Sequence, residues 1–275
     1  MRGGCVKWGL CAPVAQARLP RRIFGHERMT EVLKTREGRR IAFNRVPGQG
    51  PGVVFLGGFK SDMQGTKAVF LEEWARREGR AFLRFDYSGH GESEGAFEDG
   101  AIGDWFLDAR AVIEELTEGP QVLVGSSMGG WISLLVARAM SERVAGLVTI
   151  AAAPDFTEQG FWAGFDAEAR ERLLRDGRLE LPSEYGDEPY VITRRLIEEG
   201  RDQLVMNQPL SLPFPVRFLQ GTADEDVPVD WATALLNHAE GPDMRLLLVK
   251  GADHRFSTPD CLAAIVTAID EVSGR

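Results

Sequence analysis

The sequence predicts an α/β fold with a mainly parallel central sheet and helices on both of its faces. From Arg40 to the C-terminus, short apolar runs alternate with segments whose apolar residues recur at helical spacing, which is typical of parallel strands joined by helices. The 275 residues, 44% hydrophobic and 27% charged, suffice for one globular unit with a sizeable core. The alternation is interrupted between Pro154 and Pro213, where we expect an inserted lid. We therefore divide the chain into a leader, residues 1–28, and a domain, residues 29–275.

Each element follows from its local pattern. Seven short apolar runs predict strands at Arg40–Arg45, Gly52–Leu56, Ala81–Phe85, Val122–Val124, Val144–Ile150, Val216–Gln220 and Met244–Val249. Helical spacing predicts helices at Gly65–Glu78, Asp104–Thr117, the segment from Trp131 to Met140, Pro228–His238 and Pro259–Val272. Because ligands bind at the carboxyl ends of parallel strands, we expect the functional residues in the loops that follow the strands.

One strand, turn and helix carry the strongest chemical signal. The run Val122–Val124 leads into Gly125–Gly130, which reads Gly-x-Ser-x-Gly with Ser127 at its centre. In this setting the pattern is typical of a nucleophile elbow, which raises a serine hydroxyl above the sheet. The glycines are needed because a strand turning directly into a helix brings backbone against backbone. The amides at the start of the helix can also stabilise an anion.

A serine nucleophile needs a base, and the base needs an acid to orient it. Two loops after later strands supply both, one carrying Asp224 and Asp226 and the other His254. The order serine, acid, histidine is that of acyl hydrolases with an elbow serine. Either aspartate could reach the imidazole from its loop, and we favour Asp224 as the acid.

The other three histidines are weaker candidates for the base: His26 in the leader, His90 in a Gly-His-Gly loop and His238 at the end of a helix. An oxyanion hole needs two backbone N–H groups. We assign one to Met128, directly after the nucleophile, and the other to Phe59 in the glycine-rich loop after the strand Gly52–Leu56. This chemistry requires neither a metal nor an organic cofactor.

The net charge and the cysteine content limit the classes of partner and ligand that we expect for this protein. The net charge of −9 comes without a concentrated basic stripe in the domain, which argues against nucleic acid. No apolar run approaches the length of a membrane span, so no stable membrane insertion is expected. The three cysteines, Cys5, Cys11 and Cys261, are widely spaced and lack a paired pattern, so the sequence suggests neither a disulfide framework nor a thiolate metal site. The expected partner is a small-molecule or acylated-protein substrate.

The first 28 residues have a composition of their own. They carry six basic side chains against one acid and contain neither serine nor threonine. We interpret them as a disordered or non-native leader, with translation starting at Met29, or alternatively as an organelle transit peptide. With the first interpretation we expect the protein in the cytoplasm if its source is bacterial, and with the second in the mitochondrial matrix.

Five segments resemble the α/β-hydrolase superfamily: FLGGFKSDMQGTKA (Phe55–Ala68), RFDYSGHGESEG (Arg84–Gly95), VLVGSSMGGW (Val122–Trp131), GTADEDVP (Gly221–Pro228) and GADHRFS (Gly251–Ser257). Within it, they are similar to the family of alpha/beta hydrolase domain-containing protein ten and its bacterial relatives. The resemblance implies a mitochondrial-matrix serine hydrolase that cleaves S-palmitoyl thioesters on proteins and acyl-glucuronide esters. It places the family's triad on Ser127, Asp224 and His254. The chain departs from the family at Gly57, where relatives often have proline.

The insertion is the expected source of specificity. Its aromatic residues either contact an acyl chain of medium or long length or form a small core of their own. We select Phe161 and Trp162, together with Trp131 after the elbow, as candidate substrate contacts. Two alternatives to an ester or thioester hydrolase stay open: a carbon–carbon or lactone hydrolase using the same triad, and a catalytically silent binding protein.

Overall fold

The structure is a computed structural model that describes residues 30–181 and 189–274. In chain order its strands are β1 (Glu31–Lys34), β2 (Arg40–Val46), β3 (Gln49–Leu56), β4 (Arg80–Phe85), β5 (Gln121–Ser126), β6 (Val144–Ile150), β7 (Arg178–Leu181), β8 (Tyr190–Thr193), β9 (Leu210–Ser211), β10 (Val216–Gly221), β11 (Ala239–Glu240) and β12 (Met244–Val249). Its helices are α1 (Thr66–Arg77), α2 (Ile102–Leu116), α3 (Met128–Ala139), α4 (Ala167–Asp176), α5 (Arg194–Gly200), α6 (Val229–His238) and α7 (Pro259–Val272). The leader, residues 1–28, lies outside the described residues.

Within the described chain, eight strands form the central sheet in the order β1-β2-β4-β3-β5-β6-β10-β12. The strands from β4 to β12 in this order run parallel, and β2 is antiparallel to both β1 and β4. The predicted α/β class with a mainly parallel sheet is therefore confirmed. Parallel strands bring the loops after β3, β5, β10 and β12 to one edge of the sheet.

Two hydrophobic cores lie on the two faces of this sheet. One contains the buried sides of α2, α3 and α6 together with residues of the insertion, and the other contains those of α1 and α7. Strand β5, between them, is buried along its whole length. Burial on both faces explains why its sequence is an apolar run rather than an alternating pattern.

Strand β1 and the elements within the insertion were not predicted. The residues of β1 are mostly exposed and carry Glu31 and Lys34 at its ends, so the strand lacks the apolar signal of its neighbours. Between β6 and β10 the chain forms a π-helical turn (Thr157–Trp162), helices α4 and α5, and the strand pair β7 and β8. Among the residues that the structure describes, no helix combines the length and the apolar character that crossing a bilayer requires.

Candidate active site

The bend between β5 and α3 holds Ser127 in a conformation that few residues other than glycine adopt. Its φ of 54° and ψ of −116° lie in a region that costs about 1–3 kcal/mol. Hydrogen bonds fix this bend: the Ser127 amide donates to the Ile150 carbonyl at 2.9 Å, and the Ser127 carbonyl accepts from the Ala153 amide at 3.2 Å. The strained bend is therefore held by the end of the neighbouring strand β6 and the residues directly after it.

Glycine is required on either side of the bend because the backbones meet there. A Cβ on Gly125 would clash with the carbonyl of Gly129, and one on Gly129 would clash with the carbonyls of Leu56 and Gly57. The start of α3 therefore lies directly against the end of β3. This contact brings the loop after β3 beside the serine.

The three residues predicted as a triad come together at this edge. The Nε2 atom of His254, in the loop after β12, lies 3.1 Å from the Oγ atom of Ser127. Its Nδ1 atom lies 2.9 Å and 3.1 Å from the two carboxylate oxygens of Asp224, in the loop after β10. A carboxylate accepts the proton of Nδ1, which leaves Nε2 free to accept the hydroxyl proton of the serine.

The carboxylate of Asp224 is fully buried and saturated with donors. Besides the imidazole it accepts hydrogen bonds from the amides of Asp226 and Val227, at 3.0 Å and 2.8 Å, and from Nε2 of Gln220 at 2.9 Å. Asp226 is partly exposed, and its carboxylate lies 4.0 Å from Nε2 of the imidazole, the nitrogen that faces Ser127. The geometry thus favours Asp224 over Asp226 as the partner of His254.

The two residues expected to donate to an oxyanion lie beside Ser127. Met128 is the first residue of α3 and is fully buried. On the other side, a Cβ on Gly58 would lie 3.5 Å from the Cβ atom of Ser127, so the loop that carries Phe59 passes next to the nucleophile.

Sequence and structure comparisons place the chain among known proteins. A model described as the alpha/beta hydrolase family matches residues 53–269, which is well over half of the chain. The chain belongs to the α/β-hydrolase family. Among its relatives, palmitoyl-protein thioesterase ABHD10, mitochondrial, of Rattus norvegicus is 36% identical over 241 residues, 87% of this chain and 81% of the relative. The Homo sapiens protein of the same name is 34% identical over 233 residues, 84% of this chain and 76% of the relative.

Solved structures agree with this assignment. Alpha/beta hydrolase domain-containing protein 10 from mouse matches with a TM-score of 0.82 and 34% identity, covering 89% of this chain and 98% of that structure. A protein from Agrobacterium vitis S4 matches with a TM-score of 0.85 and 38% identity over the same shares of the two chains. The resemblance noted in the sequence is confirmed, and this α/β hydrolase is a carboxylic ester or thioester hydrolase.

The three candidate substrate contacts of this α/β hydrolase occupy different surroundings. Trp131 is fully buried, and its indole N–H donates to the carbonyl of Gln203 at 3.1 Å, so it ties α3 to the insertion. Phe161 lies in the aromatic cluster around Phe59, with ring centroids 5.9 Å apart. The ring of Trp162 instead lies under two guanidinium groups of the insertion, those of Arg170 and Arg201, at 5.2 Å and 4.7 Å.

Over residues 30–181 and 189–274, one group of side chains is close enough to hold a metal ion, namely Asp224, Asp226 and His254. Two of its members are the acid and base of the predicted triad. Both imidazole nitrogens of His254 already have hydrogen-bond partners, Asp224 and Ser127. A metal would have to displace one of these bonds, so the residues favour proton transfer over metal binding.

Sequence reasoning did not identify two polar residues that bind the active-site loops. His90 accepts a hydrogen bond from the amide of Lys60, directly after Phe59. Lys67, on α1, donates to the carbonyl of Arg255, directly after His254. Burial lowers the pKa of His90 to about 4 and that of Lys67 to about 8. Both residues lie in segments that resemble the family, Arg84–Gly95 and Phe55–Ala68, and that signal could have identified them.

Proposed function

We propose that this hydrolase cleaves acyl esters and thioesters through a Ser127–His254–Asp224 triad and a covalent acyl-enzyme. The observation that carries the proposal is the unbroken chain of hydrogen bonds from Ser127 Oγ to His254 Nε2, 3.1 Å, and from His254 Nδ1 to Asp224, 2.9 Å. This arrangement lets one imidazole take a proton from the serine and return it to the leaving group.

In the first half of the reaction, Ser127 Oγ attacks the acyl carbonyl carbon while His254 Nε2 takes its proton. The amides of Met128 and Phe59 stabilise the negative charge on the carbonyl oxygen. The carbon–oxygen or carbon–sulfur bond then breaks, and His254 protonates the departing alcohol or thiol. In the second half, water attacks the acyl-serine by the same proton transfers and releases the carboxylic acid and free Ser127.

We propose an acyl chain of medium or long length as the substrate's acyl group. Support comes from the aromatic cluster at the oxyanion loop, where the rings of Phe97, Phe156, Phe161 and Tyr190 lie 4.9–5.9 Å from that of Phe59. Such rings favour an apolar ligand. Of the three candidate contacts, Phe161 has the best support because it belongs to this cluster. Acetyl esters should therefore be poorer substrates than octanoyl esters.

The relatives' names support a narrower proposal, that the leaving group is the thiol of a palmitoylated protein. An acyl-glucuronide is the second candidate, on the resemblance of the sequence alone. The same names support a mitochondrial location over a bacterial cytoplasm, which the mass of the natural protein would test: retention of residues 1–28 would argue against a cleaved transit peptide.

The decisive experiment compares the purified protein with Ser127→Ala on 4-nitrophenyl octanoate, an S-palmitoyl peptide and an acyl-glucuronide. We expect the variant to lose about 10⁶-fold in kcat, as when a triad acts as a unit. A fluorophosphonate should label the wild type and spare the variant. Full activity in Ser127→Ala would refute the serine mechanism, and cleavage of a β-diketone in preference to all esters would favour a carbon–carbon hydrolase.

A further inference from the structure

His90 is a buried histidine outside the proposed triad. It lies in the loop after β4 with a relative exposure of 4%. Its ring packs edge-to-face against Tyr87, Phe97 and Trp105, with centroids 5.0–5.6 Å apart. Aromatic packing alone would be satisfied by phenylalanine, so the two ring nitrogens call for a separate explanation.

The hydrogen bonds of His90 determine its tautomer. The Nδ1 atom lies 3.2 Å from the carbonyl oxygen of Ser88, which can only accept, so Nδ1 carries the proton. The Nε2 atom accepts the backbone N–H of Lys60 at 3.2 Å. Burial lowers the pKa of His90 to about 4, which keeps the ring neutral near pH 7 and preserves Nε2 as an acceptor.

The amide that His90 binds belongs to a strained part of the oxyanion loop. Lys60 has a φ of 56°, in the left-handed region that residues other than glycine rarely adopt. Such a conformation persists only where its surroundings fix it. The residue before Lys60 is Phe59, the proposed oxyanion donor, and the residue before that, Gly58, adjoins Ser127.

We propose that His90 is a positioning residue that holds the backbone of Gly57–Lys60 so that the amide of Phe59 faces the oxyanion. This inference rests on the proposed function, because it assigns a support to one of its donors. The ring is held by its packing in the loop after β4, and its one hydrogen bond to the amide of Lys60 fixes the position of that amide. Its effect falls on the transition state, where the oxyanion exists, and not on substrate binding.

Two variants separate the hydrogen bond from the packing. His90→Phe keeps an aromatic ring and removes the acceptor, whereas His90→Gln keeps a side-chain carbonyl that can accept from Lys60. Phe85→Leu is the matched control, because Phe85 is a buried aromatic residue of β4 whose ring packs edge-to-face against Tyr87. It should lower thermal stability and leave kcat unchanged.

The assay measures kcat and KM for 4-nitrophenyl octanoate and the inhibition constant of an octyl trifluoromethyl ketone, which mimics the tetrahedral oxyanion. For His90→Phe we expect kcat to fall about 10²-fold, the cost of misplacing or losing one oxyanion donor, with KM changed less than about threefold. The inhibition constant should rise in proportion, and His90→Gln should recover at least about tenfold of the lost kcat.

Hydrogen exchange of the Lys60 amide in the wild type tests the bond without any substitution. Strong protection supports the proposal, and exchange at the rate of an unstructured peptide overturns it. A folded His90→Phe with unchanged kcat and inhibitor affinity also overturns it. Failure of the proposed function would look different, because Ser127→Ala would then keep its activity.

Discussion

Replacing Asp224 by asparagine tests the assignment of the acid most directly. The variant keeps the size of the side chain and exchanges one carboxylate oxygen for an NH₂ group. The amides of Asp226 and Val227 both donate to Oδ1, at 3.0 Å and 2.8 Å, so the asparagine oxygen should stay there. The new NH₂ group then takes the place of Oδ2 and faces Nδ1 of His254, 2.9 Å away.

Two donors cannot share that position, so the proton of His254 moves to Nε2. The imidazole can then no longer accept the proton of Ser127, and we expect kcat to fall about 10⁴-fold, the loss found elsewhere for this wrong tautomer. That loss corresponds to about 5 kcal/mol of transition-state stabilisation.

Asp226→Asn is the matched control. Its carboxylate lies 4.0 Å from Nε2 of His254 and is partly exposed, so it contributes a screened charge and no tautomer-setting bond. We expect less than about a tenfold loss in kcat. The assay is 4-nitrophenyl octanoate hydrolysis at saturating substrate, with circular dichroism to verify folding. A large loss in Asp226→Asn with little loss in Asp224→Asn would reverse the assignment.

Three further predictions concern the loops around the site. Gly129→Ala should lower the free energy of unfolding by about 1–3 kcal/mol in thermal unfolding, because the added Cβ would clash with the end of β3. The control Gly164→Ala should leave it unchanged, because no atom lies within 4 Å of the added Cβ. Equal stabilities of the two variants would contradict this prediction. The pKa of His90 is lower in the folded state (about 4) than in the unfolded state (6.5). Neutral His90 therefore contributes about 3 kcal/mol to the free energy of unfolding above pH 6.5, and this contribution is lost as the pH falls towards 4. In urea unfolding, the free energy of unfolding should therefore fall less between pH 6.5 and pH 4 in His90→Phe than in the wild type. If the free energies of the two proteins fall in parallel with pH, protonation of His90 is not the cause. Lys67→Met removes the donor to the carbonyl of Arg255, the residue after His254, and should lower kcat about tenfold at unchanged KM. An unchanged kcat would exclude an effect of this hydrogen bond on catalysis.

The sequence identified the candidate nucleophile because a nucleophile elbow is formed by residues that are close together in the chain. The strand, the glycines and the helix that define it lie within Gln121–Ala139, and each follows from periodicity or sterics over a few residues. The mainly parallel sheet followed in the same way. Strand β1 was missed because it has only four residues, most of them exposed, and its two apolar residues, Val32 and Leu33, are too short a run to indicate a strand.

The sequence alone determined the fold class and indicated the elbow and the two loops that carry the proposed base and acid. The tertiary structure decided which aspartate meets His254, since Asp224 and Asp226 are neighbours in the chain but differ in burial and in donors. It also showed the bond from His90 to Lys60, which joins residues 30 positions apart. The physical reason is the distance along the chain over which each interaction acts. Local patterns fix strands, turns and helices, whereas a hydrogen bond depends on tenths of an ångström between loops whose positions only the packed sheet sets.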